Sequence, residues 1–256
     1  MAGPAARSRA LVEVLARTQG LAAGYGRLPA IEDVTFEVGA GERVALLGPN
    51  GGGKTTLLRV LLGELRPMHG TVEVRGRAAT VPQTERSRLD FPVSALDVAL
   101  MGALPRLPWW KRPGHADREL ARDALERVGV AGRSDDTFGD LSGGQRQRVL
   151  IARGLVQAAD VLLLDEPFSG LDVPAARGLE SLIAELAGEG RGIVIATHDL
   201  RQARRWDAVL CLNHRQIAFG EPDEVLDREV LEATYAGAII EIPGSDHVGV
   251  LPAHHH

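Results

Sequence analysis

The sequence has little cysteine, few aromatic residues and no long apolar run. A single cysteine, Cys211, among 256 residues excludes an internal disulfide and fits a reducing compartment. Because it lies in the apolar run 209–212, we expect it to pack in the core. No apolar stretch approaches the roughly 20 residues that span a bilayer, and residues 1–17 lack the apolar segment of a secretion signal. We therefore expect a chain that is soluble by itself and serves a membrane only through a partner.

Positive charge is not in excess either. The net charge is −5, with 29 basic and 34 acidic residues, which weighs against nucleic acid as a partner because nucleic-acid-binding proteins usually carry a basic face. The hydrophobic fraction of 45% is typical of a globular protein. Glycine, by contrast, is abundant at 30 residues, and such an excess indicates tight turns or loops in which the backbone closely approaches a ligand.

Short apolar segments alternate with helical patterns along most of the chain. Strands are predicted at 43–47, 71–74, 78–81, 161–164 and 192–196, and helical patterns at 56–65, 175–187 and 224–235. Because the central strands are apolar throughout, we expect an α/β fold with a mainly parallel sheet covered by helices on both faces. The pattern over 94–156 is mostly helical with a break at 105–114, which indicates a helical lobe inserted into this core.

A glycine-rich loop follows the first of these strands and precedes a helix. Its residues fit the phosphate-loop pattern GxxxxGK[ST] and are Gly48, Pro49, Asn50, Gly51, Gly52, Gly53, Lys54 and Thr55, followed by Thr56. Glycines let backbone N–H groups point inward at phosphate oxygens, and the helix adds its positive N-terminal end. Lys54 can reach the β- and γ-phosphates of a nucleotide, and the Thr55 hydroxyl can ligate magnesium.

Two acidic residues stand at the end of another apolar strand. Asp165 and Glu166 follow the run 161–164. In phosphate-loop enzymes an aspartate at such a strand end supports magnesium. The adjacent Glu166 is placed to act on a water aimed at the γ-phosphate.

A second anion site is predicted where a helical run begins at 146. The residues before it are Leu141, Ser142, Gly143, Gly144 and Gln145, in which Ser142 is a good N-cap and the glycines expose the backbone. One nucleotide rarely needs two phosphate cradles in one chain. We therefore expect each cradle to serve a nucleotide from opposite sides, across two chains; the alternative is a capped helix with a glycine hinge.

The order of the phosphate loop, LSGGQ at 141–145 and VLLLDEP at 161–167 resembles the nucleotide-binding subunit of an ATP-binding-cassette (ABC) transporter. The resemblance implies a RecA-like core, an N-terminal antiparallel β subdomain and an inserted helical subdomain. It places the ATP-binding domain at 11–225, the helical subdomain at about 88–158 and a C-terminal extension at 226–256. It also implies ATP and Mg²⁺ as ligands.

Further positions match the family residue by residue. Tyr25 resembles the aromatic residue that stacks on adenine, although a simple loop aromatic is the alternative. Gln83 resembles the glutamine that touches magnesium and the water and couples to the membrane subunit. His198 resembles the switch histidine that contacts the γ-phosphate, with a surface histidine as the alternative. The catalytic set implied by the resemblance is Glu166, His198, Gln83 and Lys54.

Other matches imply a homodimer. Ser142 and Gly144 resemble the signature residues that contact the γ-phosphate of the nucleotide bound to the opposite chain, and Asp172 resembles the aspartate that links the two sites. Two positions depart from the family. Gly52 stands where Ser or Ala is more frequent, and Phe168 where many relatives have Thr. Neither change touches the candidate base, so we expect activity to survive.

The transported substrate is predicted from the segment after Gln83. Residues 90–113 and Phe168 are similar to ATPases of the manganese and zinc importer branch. The resemblance implies a peripheral protein on the cytoplasmic face of the membrane, with a multispan permease and an extracytoplasmic solute-binding protein as partners. Iron-chelate and cobalamin importer ATPases share part of the pattern and are the alternative, followed by a non-transport ABC ATPase.

Two short features stay open in the sequence. The adjacent Trp109 and Trp110 either dock a permease segment or pack inside the helical lobe. The histidines at 247 and 254–256 fit an unstructured or tag-derived tail better than a metal sensor.

Overall fold

A computed structural model describes residues 13–82, 92–235, 239–241 and 248–250. Gln83 and the histidines at 247 and 254–256 lie outside the described residues. The strands of the described part are β1 (Val14–Tyr25), β2 (Leu28–Gly39), β3 (Arg43–Leu47), β4 (His69–Val74), β5 (Ala78–Val81), β6 (Val161–Asp165), β7 (Gly192–Ala196), β8 (Ala208–Asn213), β9 (Arg215–Gly220), β10 (Ile239–Glu241) and β11 (Val248–Val250). Its α-helices are α1 (Lys54–Leu61), α2 (Ala95–Leu100), α3 (His115–Arg127), α4 (Gly143–Val156), α5 (Val173–Gly188), α6 (Leu200–Ala203), α7 (Pro222–Val225) and α8 (Arg228–Tyr235).

Nine strands form one sheet in the order β4-β1-β2-β9-β8-β3-β7-β6-β5. The five strands from β8 to β5 pair in parallel. In contrast, β1 pairs antiparallel with β2 and β4, and β8 pairs antiparallel with β9. One parallel pair, Glu32 with Arg215, joins the two parts. The predicted α/β class, with a mainly parallel sheet and an N-terminal antiparallel part, is confirmed.

The central strands are apolar throughout because both faces of the sheet are covered. In β3, Ala45 and Leu47 belong to one hydrophobic core, whereas Val44 and Leu46 belong to the other. All four side chains are fully buried. The first core is closed by α2, α3, α4 and α5, and the second by α1 together with β1 and β2. A strand that is buried on both faces cannot carry polar residues at alternate positions, and this explains why these strands are apolar throughout.

Helix α1 is shorter than its apolar pattern predicts. The pattern covers 56–65, but the helix begins at Lys54 and ends at Leu61. Gly63 adopts a φ of 74°, and its N–H donates to the carbonyl of Val60 at 2.9 Å. A glycine in the left-handed conformation just after a helix terminates it. Leu65, the last apolar residue of the pattern, therefore packs on the core from a segment that is not helical.

Helices α2, α3 and α4 pack together, as the helical pattern over 94–156 indicates. Ser94 caps α2 and shares a capping box with Asp97. The predicted break at 105–114 begins at the end of a 3-10 helix, Met101–Arg106, that includes Pro105, and α3 begins after it at His115. The assignment of 88–158 to a separate subdomain stays a prediction.

The C-terminal helical pattern at 224–235 forms two helices rather than one. Helix α7 ends before Leu226, whose ψ of 46° is not helical. Asp227 then accepts a hydrogen bond from the N–H of Val230 at 2.7 Å. Tyr235 at the end of α8 is buried in the same core as Cys211. The predicted extension from 226 therefore begins with a helix that packs on the α/β core.

Cys211 packs in the core as predicted. It lies in β8 and is fully buried, and burial raises the pKa of its thiol to about 11. Among the described residues, the longest helices are too short or too polar to cross a bilayer.

The tightest packing within the helical part involves Gly102. A Cβ there would lie 2.1 Å from the carbonyl oxygen of Arg153 in α4. Gly132 lies in another 3-10 helix, Ala131–Arg133, where a Cβ would meet no atom within 4 Å. Neither glycine has a positive φ. We expect Gly102→Ala to lower the free energy of unfolding by about 1–3 kcal/mol and Gly132→Ala to leave it unchanged or raise it by up to about 1 kcal/mol.

Urea unfolding of both variants measures this difference. Equal stability of the two variants would show that the 3-10 helix does not pack against α4 as described.

Candidate functional site

The glycine-rich loop takes its shape from neighbouring strands. Gly53 has a φ of 99°, and a Cβ there would lie 2.2 Å from Cγ2 of the buried Ile31 in β2. At Gly48 a Cβ would lie 2.0 Å from the carbonyl oxygen of Leu212 in β8. The N–H of His214 donates to the carbonyl of Gly52 at 3.0 Å. The loop is thus held between β2 and the β8–β9 turn, at positions that only glycine fits.

Lys54 lies inside this loop. Its ammonium donates to the carbonyls of Gly48 at 2.7 Å and Pro49 at 3.0 Å, and its side chain is buried. Helix α1 begins at Lys54, so the positive end of the helix faces the loop. The next residue, Thr55, is exposed, whereas Thr56 is buried. A buried ammonium and a helix N-terminus at one place form an anion site.

Three parallel strands bring the remaining chemistry to the same edge of the sheet. β3 ends at the glycine-rich loop, β6 ends at Asp165, and β7 ends one residue before Thr197. These strands are neighbours in the order β3-β7-β6. Parallel neighbours place their carboxyl ends at one edge. Lys54, Glu166 and His198 therefore meet there.

Glu166 has an unusual backbone for a residue with a side chain. Its φ is 47°, in the left-handed region that costs about 1–3 kcal/mol outside glycine. Its N–H continues the ladder by donating to the carbonyl of Ala196 in β7 at 3.0 Å. Strained positions of this kind cluster at functional sites.

The Glu166 carboxylate lies 3.8 Å from Nδ1 of His198. The Glu166 side chain is 20% exposed and that of His198 is 70% exposed, so the pair faces solvent on the histidine side. The Glu166 carboxylate raises the pKa of His198 above its ordinary value, while partial burial of the ring and, to a smaller extent, the positive charge of Lys54 oppose the increase. The pKa of His198 thus depends on the charges of both Glu166 and Lys54.

The segments carrying Glu166 and His198 are fixed by contacts that the sequence does not predict. Phe168 stacks on the buried Trp206, with ring centroids 6.4 Å apart and planes 27° apart. Asp199 caps α6 by accepting hydrogen bonds from the N–H groups of Arg201 and Gln202. Phe168 and Trp206 are 38 positions apart in the sequence, and no local motif relates them.

Tyr25 is at the end of β1 with its ring 53% exposed. Arg59 of α1 donates to its hydroxyl at 3.1 Å, and the guanidinium carbon lies 5.9 Å from the ring centroid. The exposed ring is available for stacking, and Arg59 orients it. Sequence reasoning missed Arg59 because nothing local links it to Tyr25.

The second predicted anion site has different neighbours. Ser142 caps α4 and shares a capping box with Gln145, and Ser142 itself is exposed. Cβ atoms at the following glycines would meet only atoms of Gly170, Leu171 and Ala175. Asp172, which caps α5, is also at this place. In the structure, Ser142, Gly143 and Gly144 thus lie next to Asp172 at the N-terminus of α5.

The predicted magnesium ligands offer hard oxygen donors. The Thr55 hydroxyl and the Asp165 carboxylate both stand at the sheet edge, and Mg²⁺ prefers such donors. Gln83 is outside the described residues. No group of three or more metal-binding side chains occurs in the part of the chain that the structure describes. The oxygen donors of Thr55 and Asp165 fit Mg²⁺.

Comparisons with known proteins decide the family. The sequence profile of the ABC transporter family matches residues 31–169. The chain belongs to the ABC transporter family. It is an ATP hydrolase with the phosphate-loop fold of that family.

The relatives of this ABC transporter ATPase include metal transport proteins. The chain is 38% identical over 244 residues to the manganese transport system ATP-binding protein MntB of Halalkalibacterium halodurans, covering 92% of this chain and 97% of the relative. It is 39% identical to the zinc transport system ATP-binding protein TroB of Treponema pallidum, covering 86% of each chain.

A solved structure is also similar along most of its length. It is an inward-facing metal-chelate type ABC transporter, matched at 30% identity with a TM-score of 0.80, covering 94% of this chain and 98% of that one. The predicted resemblance to the ABC transporter family is confirmed.

The contact between Glu166 and His198 predicts a pH dependence. Because the carboxylate is the main cause of the raised pKa, we expect Glu166→Gln to lower the pKa of His198 towards its ordinary value of 6.5. The charged pair is present below the raised pKa and is lost as pH rises through it. A pH titration of the His198 ring protons by NMR measures the shift.

Asp199→Asn is the matched control. Asp199 raises the pKa of His198 less than Glu166 does, and asparagine is an equally good N-cap. The decrease should be smaller than in Glu166→Gln. An unchanged His198 pKa in Glu166→Gln would contradict the described geometry.

Proposed function

We propose that the chain is the ATP-hydrolysing subunit of a transporter that imports a metal ion, manganese or zinc, through a separate membrane permease. The observation that carries the proposal is the meeting of Lys54, Glu166 and His198 at one sheet edge. The names of the two relatives, a manganese and a zinc transport system ATP-binding protein, support the substrate.

Phosphate binding is assigned to the loop and to Lys54. The ammonium is held by the carbonyls of Gly48 and Pro49 inside the loop, so its charge is already placed where phosphate oxygens enter. Preorganised charge stabilises the transition state without reorganisation. Tyr25, steadied by Arg59, stacks on the base of the nucleotide.

Water activation is assigned to Glu166. Its strained backbone aims the carboxylate at the sheet edge, where it orients or deprotonates the water that attacks the γ-phosphate. His198 contacts the γ-phosphate, and its raised pKa favours the protonated, hydrogen-bond-donating form. Thr55, Asp165 and Gln83 would hold magnesium, which would neutralise charge on the phosphates.

Each nucleotide site is completed by a second copy of the chain. The N-terminus of α4, with Ser142, Gly143, Gly144 and Gln145, is the second anion site, and it is grouped with Asp172 rather than with Lys54. We assign it to the γ-phosphate of the nucleotide held by the partner. ATP binding then favours dimerisation, and hydrolysis, which removes the γ-phosphate, allows the two chains to separate.

The assembly follows from the same assignment. A multispan permease carries the ion, an extracytoplasmic solute-binding protein delivers it, and this chain lies peripherally on the cytoplasmic face. We expect no nucleic acid among the partners of the chain. A metal-chelate substrate is the second candidate, because the similar solved structure is a metal-chelate type transporter.

The assignment of Glu166 is tested by Glu166→Gln. Loss of the base should lower ATP turnover by about 10²–10⁴-fold and trap a closed dimer with ATP bound. Sedimentation velocity with and without ATP detects the dimer, and phosphate release measures turnover. Glu180→Gln is the control, since Glu180 faces Arg205 on the surface at 3.6 Å. Near-normal turnover in Glu166→Gln would refute the assignment.

The substrate is tested in vesicles that contain the chain together with the permease and the solute-binding protein that co-purify with it. We expect Mn²⁺ or Zn²⁺ to stimulate ATP turnover when supplied on the solute-binding side. Stimulation by an iron chelate or cobalamin, with no response to Mn²⁺ or Zn²⁺, would replace the proposed substrate by the second candidate.

A further inference from the structure

The segment between the 3-10 helix at 101–106 and α3 carries the most exposed aromatic side chains of the described residues. Trp109 is 92% exposed and Trp110 is 72% exposed. Their rings contact each other edge to face, with centroids 5.7 Å apart. Packing inside the helical lobe, one of the two alternatives from the sequence, is therefore wrong. We call residues 107–114 the tryptophan loop.

Apolar exposure continues next to the loop. Met101 is 40% exposed and Leu104 is 51% exposed, both in the preceding 3-10 helix. Four of the nine exposed large hydrophobic residues in the described part thus lie within ten consecutive positions. Clustered apolar exposure marks an interaction surface, whereas single exposed residues do not.

The charge within the tryptophan loop and the preceding 3-10 helix is of one sign. Between Asp97 and Asp117 the sequence contains Arg106, Lys111 and Arg112 and no acidic residue, although the whole chain has a net charge of −5. Arg106 is paired with Asp117 at 3.1 Å. Lys111 and Arg112 are exposed, and neither has an ion-pair partner among the described residues. Two cations without an ion-pair partner in the described part of the chain therefore directly follow the two tryptophans.

We propose that the tryptophan loop inserts into the headgroup region of a bilayer that contains anionic lipids. Tryptophan is favoured at this depth because its ring is apolar and its N–H still finds polar partners. Lys111 and Arg112 are attracted by the negative surface potential of the lipids. Two side chains that project this far form a protrusion, which a fluid headgroup layer accommodates without a matching groove.

The inference goes beyond the proposed function and does not rest on the transported ion. It gives the chain a direct contact with lipid in addition to its contact with a permease. The acidic remainder of the chain is repelled by the same lipids, so the contact also selects which face turns to the membrane.

The test is sedimentation of the full chain with two kinds of vesicle, pure phosphatidylcholine and phosphatidylcholine with phosphatidylglycerol. We expect binding to the anionic vesicles, weakened by 1 M salt. Tryptophan emission should shift to shorter wavelength and be quenched by brominated lipid. Trp206 is buried and contributes a constant background. Equal, weak sedimentation with both vesicles would overturn the proposal.

Two pairs of substitutions locate the contact. Trp109→Ser with Trp110→Ser should abolish the emission shift and the binding. Lys111→Ala with Arg112→Ala should weaken binding to anionic vesicles by roughly tenfold to thirtyfold, since each cation near such a surface contributes about a fivefold factor. The control pair, Arg66→Ala with Met68→Ser, removes an exposed cation and an exposed apolar residue between α1 and β4. It should bind like the unchanged chain.

Two further outcomes are decisive. Retained vesicle binding in the tryptophan pair would overturn the proposal. So would an emission shift that occurs with detergent-solubilised permease and never with vesicles, because the loop would then be a protein-docking surface. ATP turnover in solution, measured on the same variants, should stay within about twofold. A failure of the proposed function would appear as missing stimulation of ATP turnover by Mn²⁺ or Zn²⁺ in vesicles with the permease, and it would leave binding to the lipid vesicles unchanged.

Discussion

The common direction of β3, β6 and β7 is the constraint from which the site follows. These three neighbours end at one edge of the sheet, and their fully buried apolar side chains lock them between two hydrophobic cores. Each strand then delivers one group: β3 the glycine-rich loop, β6 the pair Asp165 and Glu166, and β7 the segment with His198. The packing of apolar side chains thus brings Glu166 to within 3.8 Å of His198.

The second anion site is built on a different pair of elements. The N-terminus of α4 packs against the segment before α5, so that Ser142 and Asp172 cap two helices whose starts touch. In the dimer that we propose, each half is completed by association with the partner, and the γ-phosphate controls that association.

Much of the fold and the positions of the site residues could be predicted from the sequence because they rest on local patterns. The strands Arg43–Leu47 and Gly192–Ala196 match their apolar runs, and the glycine-rich loop is recognisable from spacing. Contacts between distant positions could not be predicted. Arg59 on the Tyr25 ring, Trp206 beneath Phe168, and the positive φ of Glu166 all arise from packing. The end of α1 at Gly63 and the cap at Asp227 had local signals that the apolar pattern outweighed.

The claim that two chains share each ATP site is tested most directly by mixing two inactive variants. Lys54→Ala removes the ammonium of the phosphate loop, and Ser142→Asp keeps an N-cap residue but repels phosphate. In a mixed dimer one site carries both changes and the other carries neither. With random pairing and independent sites, ATP turnover of an equal mixture should recover to about one quarter of that of the unchanged chain, because half of the dimers are mixed and each has one intact site. Turnover equal to the average of the two variants measured alone would contradict a shared site.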